Sequence, residues 1–128
     1  MNIILFGPPG AGKGTQAKNI AKKIKSFQVS TGDMLRDEIK KDTEIGKKII
    51  NHMNEGKFVE DEIVNKLLEK IIFDKEKKNK LIFDGYPRTV NQAKNLENLL
   101  NKSNQKLDFI FFLNVKKENL FLMVILEL

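Results

Sequence analysis

Between a short apolar run and the first amphipathic stretch lies Gly7-Pro8-Pro9-Gly10-Ala11-Gly12-Lys13-Gly14-Thr15, a run with the composition of a loop that wraps phosphate. Glycines let the main chain approach phosphate oxygens closely, while backbone N–H groups and a following helix N-terminus direct positive potential at them. Lys13 adds a mobile point charge. The general phosphate-loop pattern places Ser or Thr directly after the lysine, but here Gly14 intervenes and Thr15 comes one position later.

Other chemistries find little support. There is no cysteine, so disulfides, thiolate metal sites and sulfur redox chemistry are excluded. His52 is the only histidine, has no acidic or hydroxyl partner at catalytic spacing, and is assigned no function. Neither a Ser, His and Asp arrangement nor a metal-binding cluster of histidines and carboxylates is present in the sequence. Asp33 reads as a first-turn carboxylate at a helix N-terminus, a placement that does not preclude a role at the site.

The elements that must position the loop follow from periodicity. Residues 2–6 form an apolar run ended by Gly7 and Pro8, as expected of a buried parallel strand. Ala17, Ile20, Ala21 and Ile24 then recur at helical spacing. Phe27–Ser30 is a second short strand, and Ser30-Thr31-Gly32-Asp33 supplies capping residues ahead of Met34, Leu35 and Ile39. Further helices are expected through Ile45, Ile49, Ile50 and Met53, ending at Asn54-Glu55-Gly56, and through Ile63, Val64, Leu67, Leu68, Ile71 and Ile72. Leu81–Asp84 and Leu107–Leu113 are buried-strand candidates, separated by a helix carrying Val90, Ala93, Leu96, Leu99 and Leu100. This alternation predicts an α/β fold of three layers around a mostly parallel sheet with right-handed crossovers.

With 128 residues, 41% of them hydrophobic and 31% charged, the chain has the profile of one globular domain. The net charge of +6 comes from lysines scattered over helix-like stretches, with Arg36 and Arg88 the only arginines. That distribution reads as a solvated surface rather than a nucleic-acid stripe. The apolar start is too short for a signal peptide and runs directly into the glycine-rich loop, so a cytoplasmic protein without membrane association is expected.

Four motifs stand in order: GPPGAGKGT at 7–15, STGDMLR at 30–36, GKFV at 56–59, and DGYPRT at 84–89 followed by Gln92. Together they resemble the adenylate kinases among the nucleoside monophosphate kinases, over about residues 1–120. The resemblance implies a P-loop α/β/α kinase domain over 1–128, with 30–59 as a small helical AMP-binding subregion. It implies ATP phosphates on Gly10, Ala11, Gly12, Lys13, Gly14 and Thr15. AMP falls to Thr31, Arg36, Lys57, Phe58, Val59, Gly85, Tyr86, Pro87, Arg88 and Gln92, with both arginines on its phosphate and Gln92 on its base. Arginine suits that task because its planar fork donates two parallel hydrogen bonds to phosphate oxygens. Asp84 resembles the acidic residue that helps hold Mg²⁺, through water, and Lys13, Asp84 and Arg88 form the implied catalytic set. The implied reaction is reversible transfer of the γ-phosphoryl of Mg-ATP to AMP, giving two ADP, by a monomer.

Beyond Asn119 the resemblance stops: a lid over ATP, a further strand and a closing helix would follow, but the sequence continues as an apolar stretch, 120–128. Truncation or a frameshift is the favoured reading of this end, with a buried helix turn or an added strand as alternatives. Reduced turnover is expected, because no arginine follows Arg88 and the lid that excludes water is missing. The alternatives to a working adenylate kinase are therefore a nucleotide-binding remnant without turnover and a kinase acting on UMP or CMP.

Overall fold

The computed structural model describes residues 1–8, 12–56, 61–116 and 119–125, with side-chain surroundings given as far as Leu113. Its elements are β1 (Ile3–Phe6), α1 (Lys13–Ile24), β2 (Phe27–Ser30), α2 (Thr31–Lys40), α3 (Glu44–Asn54), α4 (Asp61–Ile72), β3 (Leu81–Asp84), α5 (Val90–Lys102), β4 (Phe109–Lys116) and β5 (Asn119–Ile125). A 3₁₀ turn, Lys75–Lys77, joins α4 to β3.

The sheet order is β2-β3-β1-β4-β5. The first four strands are mutually parallel, with Ile4 opposite Phe83 and Ile110, and Ser30 opposite Asp84. β5 runs antiparallel to β4, pairing Phe111 with Val124 and Lys116 with Asn119. The mostly parallel sheet expected from the sequence is thus present. Of the readings open for the apolar tail, the added strand is the one adopted, and it covers the edge that β4 would otherwise expose.

Alternate residues of the short central strands feed two cores, as the twofold period of a strand requires. On one face, Ile4, Val29, Leu81 and Phe83 pack with Val64, Leu68 and Ile72 of α4 and with Leu96, Leu99 and Leu100 of α5. On the other, Ile3, Leu5 and Ile82 meet Ala17 and Ala21 of α1. These are the helical stripes read from the sequence, except that Val90 is 71% exposed, Met53 60% exposed, and Ile24, Ile50 and Ala93 are also exposed. A smaller cluster, Ile49, Ile63 and Leu67 with Met34, Leu35, Ile39 and Ile45 against it, ties α2 and α3 to α4. Gly46 permits the close α2–α3 crossing, because a Cβ there would run into the backbone carbonyl of Glu38.

The end of the sheet away from the loop is held by a buried polar clamp. Asn2 donates to Gln105 Oε1 at 3.2 Å and to the Lys106 carbonyl at 3.0 Å, and its own Oδ1 accepts from Leu81 N at 3.2 Å. Gln105 accepts from Asn79 N at 2.9 Å and donates to the Ile72 carbonyl at 2.9 Å. Two side chains thereby register β1, β3 and the end of α4. Among the described residues no buried side-chain polar atom lacks a partner. No helix among them is long and apolar enough to cross a membrane.

Candidate functional site

The parallel strands deliver their carboxyl ends to one edge, the position at which open α/β sheets bind ligands. β1 ends at Phe6 beside the glycine-rich loop, β2 ends at Ser30, and β3 ends at Asp84, which is 7% exposed. Gly10 and Ala11 lie outside the described residues, as does the Lys57–Val59 segment.

The N-terminus of α1 differs from those of α2, α3 and α5. Ser30, Thr43 and Thr89 cap those three helices through their side chains. α1 begins instead after Gly12, at φ 76°, with no side-chain cap and no acidic residue in its first turn. The first N–H groups of an α-helix lack intrahelical partners, and with the helix dipole they suit an anion. Lys13, Gly14 and Thr15 form this first turn, so the helix itself carries no carboxylate where phosphate is expected.

Lys13 reaches across to β3, its Nζ 2.5 Å from Asp84 Oδ1. The second carboxylate oxygen, Oδ2, accepts from Gln28 Nε2 of β2 at 3.1 Å. Periodicity gave Gln28 only a place in a short strand, so this partner was not legible in the sequence. Both oxygens of the buried carboxylate are therefore engaged, which is what a charge removed from water requires.

Gly85 forms the centre of the site. Its φ of 80° suits glycine, and a Cβ there would lie 3.3 Å from Arg88 Nη2, 3.8 Å from Thr31 Oγ1 and 3.9 Å from Lys13 Nζ. Three donors from three segments thus surround a space kept open by the missing side chain. Arg88 is held in place by a 2.8 Å hydrogen bond from Nε to the Gly85 carbonyl, leaving its terminal nitrogens toward that space. The space opens into a cleft of about 860 Å³ whose lining includes Phe6, Gly7, Lys13, Pro87, Val90 and Ala93. Helical spacing placed Val90 and Ala93 on the core stripe of α5; they face the cleft because the stripe begins one turn before the helix reaches the sheet.

The remaining expected contacts are distributed unevenly. Arg36, exposed on α2, pairs with Asp33 and does not line the cleft. Tyr86 is 1% exposed and belongs to the core, donating to the Gln92 carbonyl at 3.1 Å, with Asn65 Oδ1 at 3.4 Å. Burial raises its pKa, the Asn95 hydrogen bond opposes that, and the Asp61 charge adds to the rise. Pro87, joined to Tyr86 by a cis peptide bond, lines the cleft. Gln92 sits in the first turn of α5, its Oε1 accepting from Arg88 N at 2.7 Å. His52 stays on α3, its Nδ1 3.0 Å from the Lys48 carbonyl.

Comparison with known proteins agrees with this geometry. The family model described as adenylate kinase matches residues 5–125. This chain belongs to the adenylate kinase family. It is 56% identical over 118 residues to the adenylate kinase of Pelagibacter ubique, covering 92% of this chain and 55% of that protein. The adenylate kinase of Mycoplasma mycoides is 48% identical, with 92% and 54% covered, and that of Bartonella henselae 47% identical, with 94% and 62% covered. The chain thus spans about half the length of the curated relatives it matches.

Magnesium was expected at Asp84. Among the described residues no group of three histidine, cysteine or acidic side chains could hold a metal ion. A single buried carboxylate beside this cleft nevertheless fits Mg²⁺, which keeps several waters and is commonly bound by one or two carboxylates together with substrate phosphates.

Proposed function

We propose that this chain binds ATP and AMP at the two sides of the Gly85 space and serves as the phosphate-handling part of an ATP:AMP phosphotransferase. The observation that carries the reading is the convergence of Lys13, Thr31 and Arg88 on that space, next to a helix N-terminus without a side-chain cap. Such an arrangement suits two phosphate groups brought close together.

In this reading the first turn of α1 and Lys13 hold the β- and γ-phosphates of ATP. Arg88, with Thr31, fixes the phosphate of AMP, whose base lies toward Gln92. Arg36 joins the acceptor phosphate by exchanging Asp33 for it, and Lys57, Phe58 and Val59 complete the AMP site. An oxygen of the AMP phosphate attacks the γ-phosphorus in line, the bond from that phosphorus to the β,γ-bridging oxygen breaks, and two ADP result. No protein nucleophile is needed, since catalysis is by positioning and by cations around the transferring group. Charge neutralisation across the β- and γ-phosphates is the chemistry Mg²⁺ supplies when bound, with Asp84 orienting its waters. Lys13 exchanges its partner Asp84 for phosphate, while Gln28 keeps the carboxylate in place. A monomer acting in the cytoplasm, without nucleic acid or membrane, belongs to the same reading.

The test is ADP formation from ATP, AMP and Mg²⁺ by the purified 128-residue chain, with Lys13→Ala as control and UMP and CMP as alternative acceptors. AMP-dependent turnover lost in the control supports the reading. A clear preference for UMP or CMP contradicts the acceptor assignment, and saturable AMP binding without turnover reduces the function to nucleotide binding.

A further inference from the structure

Each polar group of Gln92 has one partner, and these partners belong to different elements. Its backbone N–H donates to Thr89 Oγ1 at 3.2 Å, and its carbonyl accepts from Tyr86 Oη at 3.1 Å. Within the side chain, Oε1 accepts from Arg88 N at 2.7 Å and Nε2 donates to Asp61 Oδ1 at 2.9 Å. A backbone N–H can only donate and an ionised carboxylate can only accept, so the two partners act on the amide in one sense. They oppose the 180° flip that would exchange its oxygen and nitrogen. One N–H and one oxygen lone pair remain for a ligand.

We propose that Asp61, the first residue of α4, is a positioning residue that fixes the polarity of the Gln92 amide and so sets which purine edge the site accepts. The inference rests on the AMP reading above and deepens it. Along its six-membered ring adenine offers an acceptor at N1 and a donor at the 6-amino group; hypoxanthine offers the reverse. An amide locked in one polarity matches one of these edges and opposes the other, whereas an amide free to flip serves both. Discrimination then depends on the lock as well as on the presence of glutamine.

Asp61 also sits in the first turn of a helix, where any carboxylate is favourable, and Glu62 shares that turn. Glu62 pairs loosely with Lys66, at 3.7 Å, and both side chains are exposed. It therefore serves as the control for the purely structural role. Asp61→Asn is nearly isosteric but replaces an acceptor-only group with one that donates or accepts, so it releases one of the two restraints.

The experiment is calorimetric titration of AMP and inosine monophosphate into the 128-residue chain and its Asp61→Asn, Asp61→Glu and Glu62→Gln variants. The ratio of AMP to inosine monophosphate affinity should fall about three- to tenfold in Asp61→Asn, the size expected for one charge-assisted hydrogen bond at an exposed site. It should stay at the parent value in Glu62→Gln and remain closer to that value in Asp61→Glu than in Asp61→Asn. An unchanged ratio in Asp61→Asn, or an equal fall in Glu62→Gln, overturns the inference while leaving the AMP reading intact. A parent chain that does not prefer AMP overturns both. Loss of fold would weaken both ligands together, and the Asp61→Glu variant then decides.

Discussion

Asp84, 7% exposed at the end of β3, holds Lys13 of the glycine-rich loop at 2.5 Å. The pairing joins the charge proposed to bind phosphate to the carboxylate expected beside magnesium, and its two partners are buried unequally: the Lys13 side chain is 22% exposed and that of Asp84 is 9% exposed. Removing Lys13 leaves a buried carboxylate with Gln28 alone, whereas neutralising Asp84 leaves an ammonium able to reach water. Lys13→Ala should therefore destabilise the fold more than Asp84→Asn, by about 1–3 kcal/mol against less than about 1. Urea unfolding of both variants checks the order, and the reverse order would show that Lys13 is held in place for its ligand alone.

Gly85→Ala should be the most damaging single methyl group in the site. The added carbon enters the space between Arg88, Thr31 and Lys13 and also forces a side chain into a left-handed backbone at φ 80°. A stability loss of about 1–2 kcal/mol is expected from the backbone alone, together with loss of phosphate binding. Denaturation and phosphate-analogue titration measure the two effects separately.

Arg88→Lys keeps the charge but loses the fork. AMP affinity should fall about tenfold or more, since a bidentate, charge-assisted contact becomes a single point contact. Equal affinity in parent and variant would place the AMP phosphate elsewhere.

Tyr86 is the only tyrosine in a chain without tryptophan, so its ionisation can be followed by ultraviolet absorbance without interference. Its folded-state pKa is raised above 10.0, chiefly by burial. The folded state therefore holds the phenolic proton more tightly than the unfolded chain does. Its stabilising contribution is complete below pH 10 and is lost as pH rises from about 10 through the folded pKa. Unfolding free energy should decline over that alkaline window, and the part due to this group should vanish in Tyr86→Phe. A tyrosine titrating at or below pH 10 in the folded protein would contradict the burial described above.

The Asn2–Gln105 clamp gives a stability prediction remote from the cleft. Gln105→Ala leaves Asn79 N, Asn2 Nδ2 and the Ile72 carbonyl without that partner. A cost of about 1–3 kcal/mol per group left unsatisfied and dry is expected, reduced wherever water enters. A change below about 0.5 kcal/mol in denaturant unfolding would show that water replaces the side chain fully.

How much of this was readable beforehand follows from which physics is local. The apolar runs at 3–6 and 81–84 ended in glycine-containing turns, and helical stripes such as Ala17, Ile20, Ala21 and Ile24 repeat every three or four residues, so the elements were legible. Lys13 and Asp84 were legible because one stands where the glycine-rich loop meets a helix and the other where an apolar strand meets a loop. Gln28 and Asp61 were not, because their importance depends on partners 56 and 31 residues away that only the sheet order and the α4–α5 packing bring near. Val90 was read as core because periodicity gives a face but not the point where that face leaves the sheet. The tail, apolar at every position of 120–128 except Glu127, carried no alternation to separate strand from helix, and pairing with β4 decided it.

The most direct test of the account is calorimetric titration of AMP into the 128-residue chain beside its Gly85→Ala and Arg88→Lys variants, with circular dichroism recorded for each. The account predicts saturable binding to the parent, binding weakened about tenfold or more in Arg88→Lys, and none in a folded Gly85→Ala chain. Parent-like affinity in both variants would mean that the space over Gly85 is not where the AMP phosphate is held.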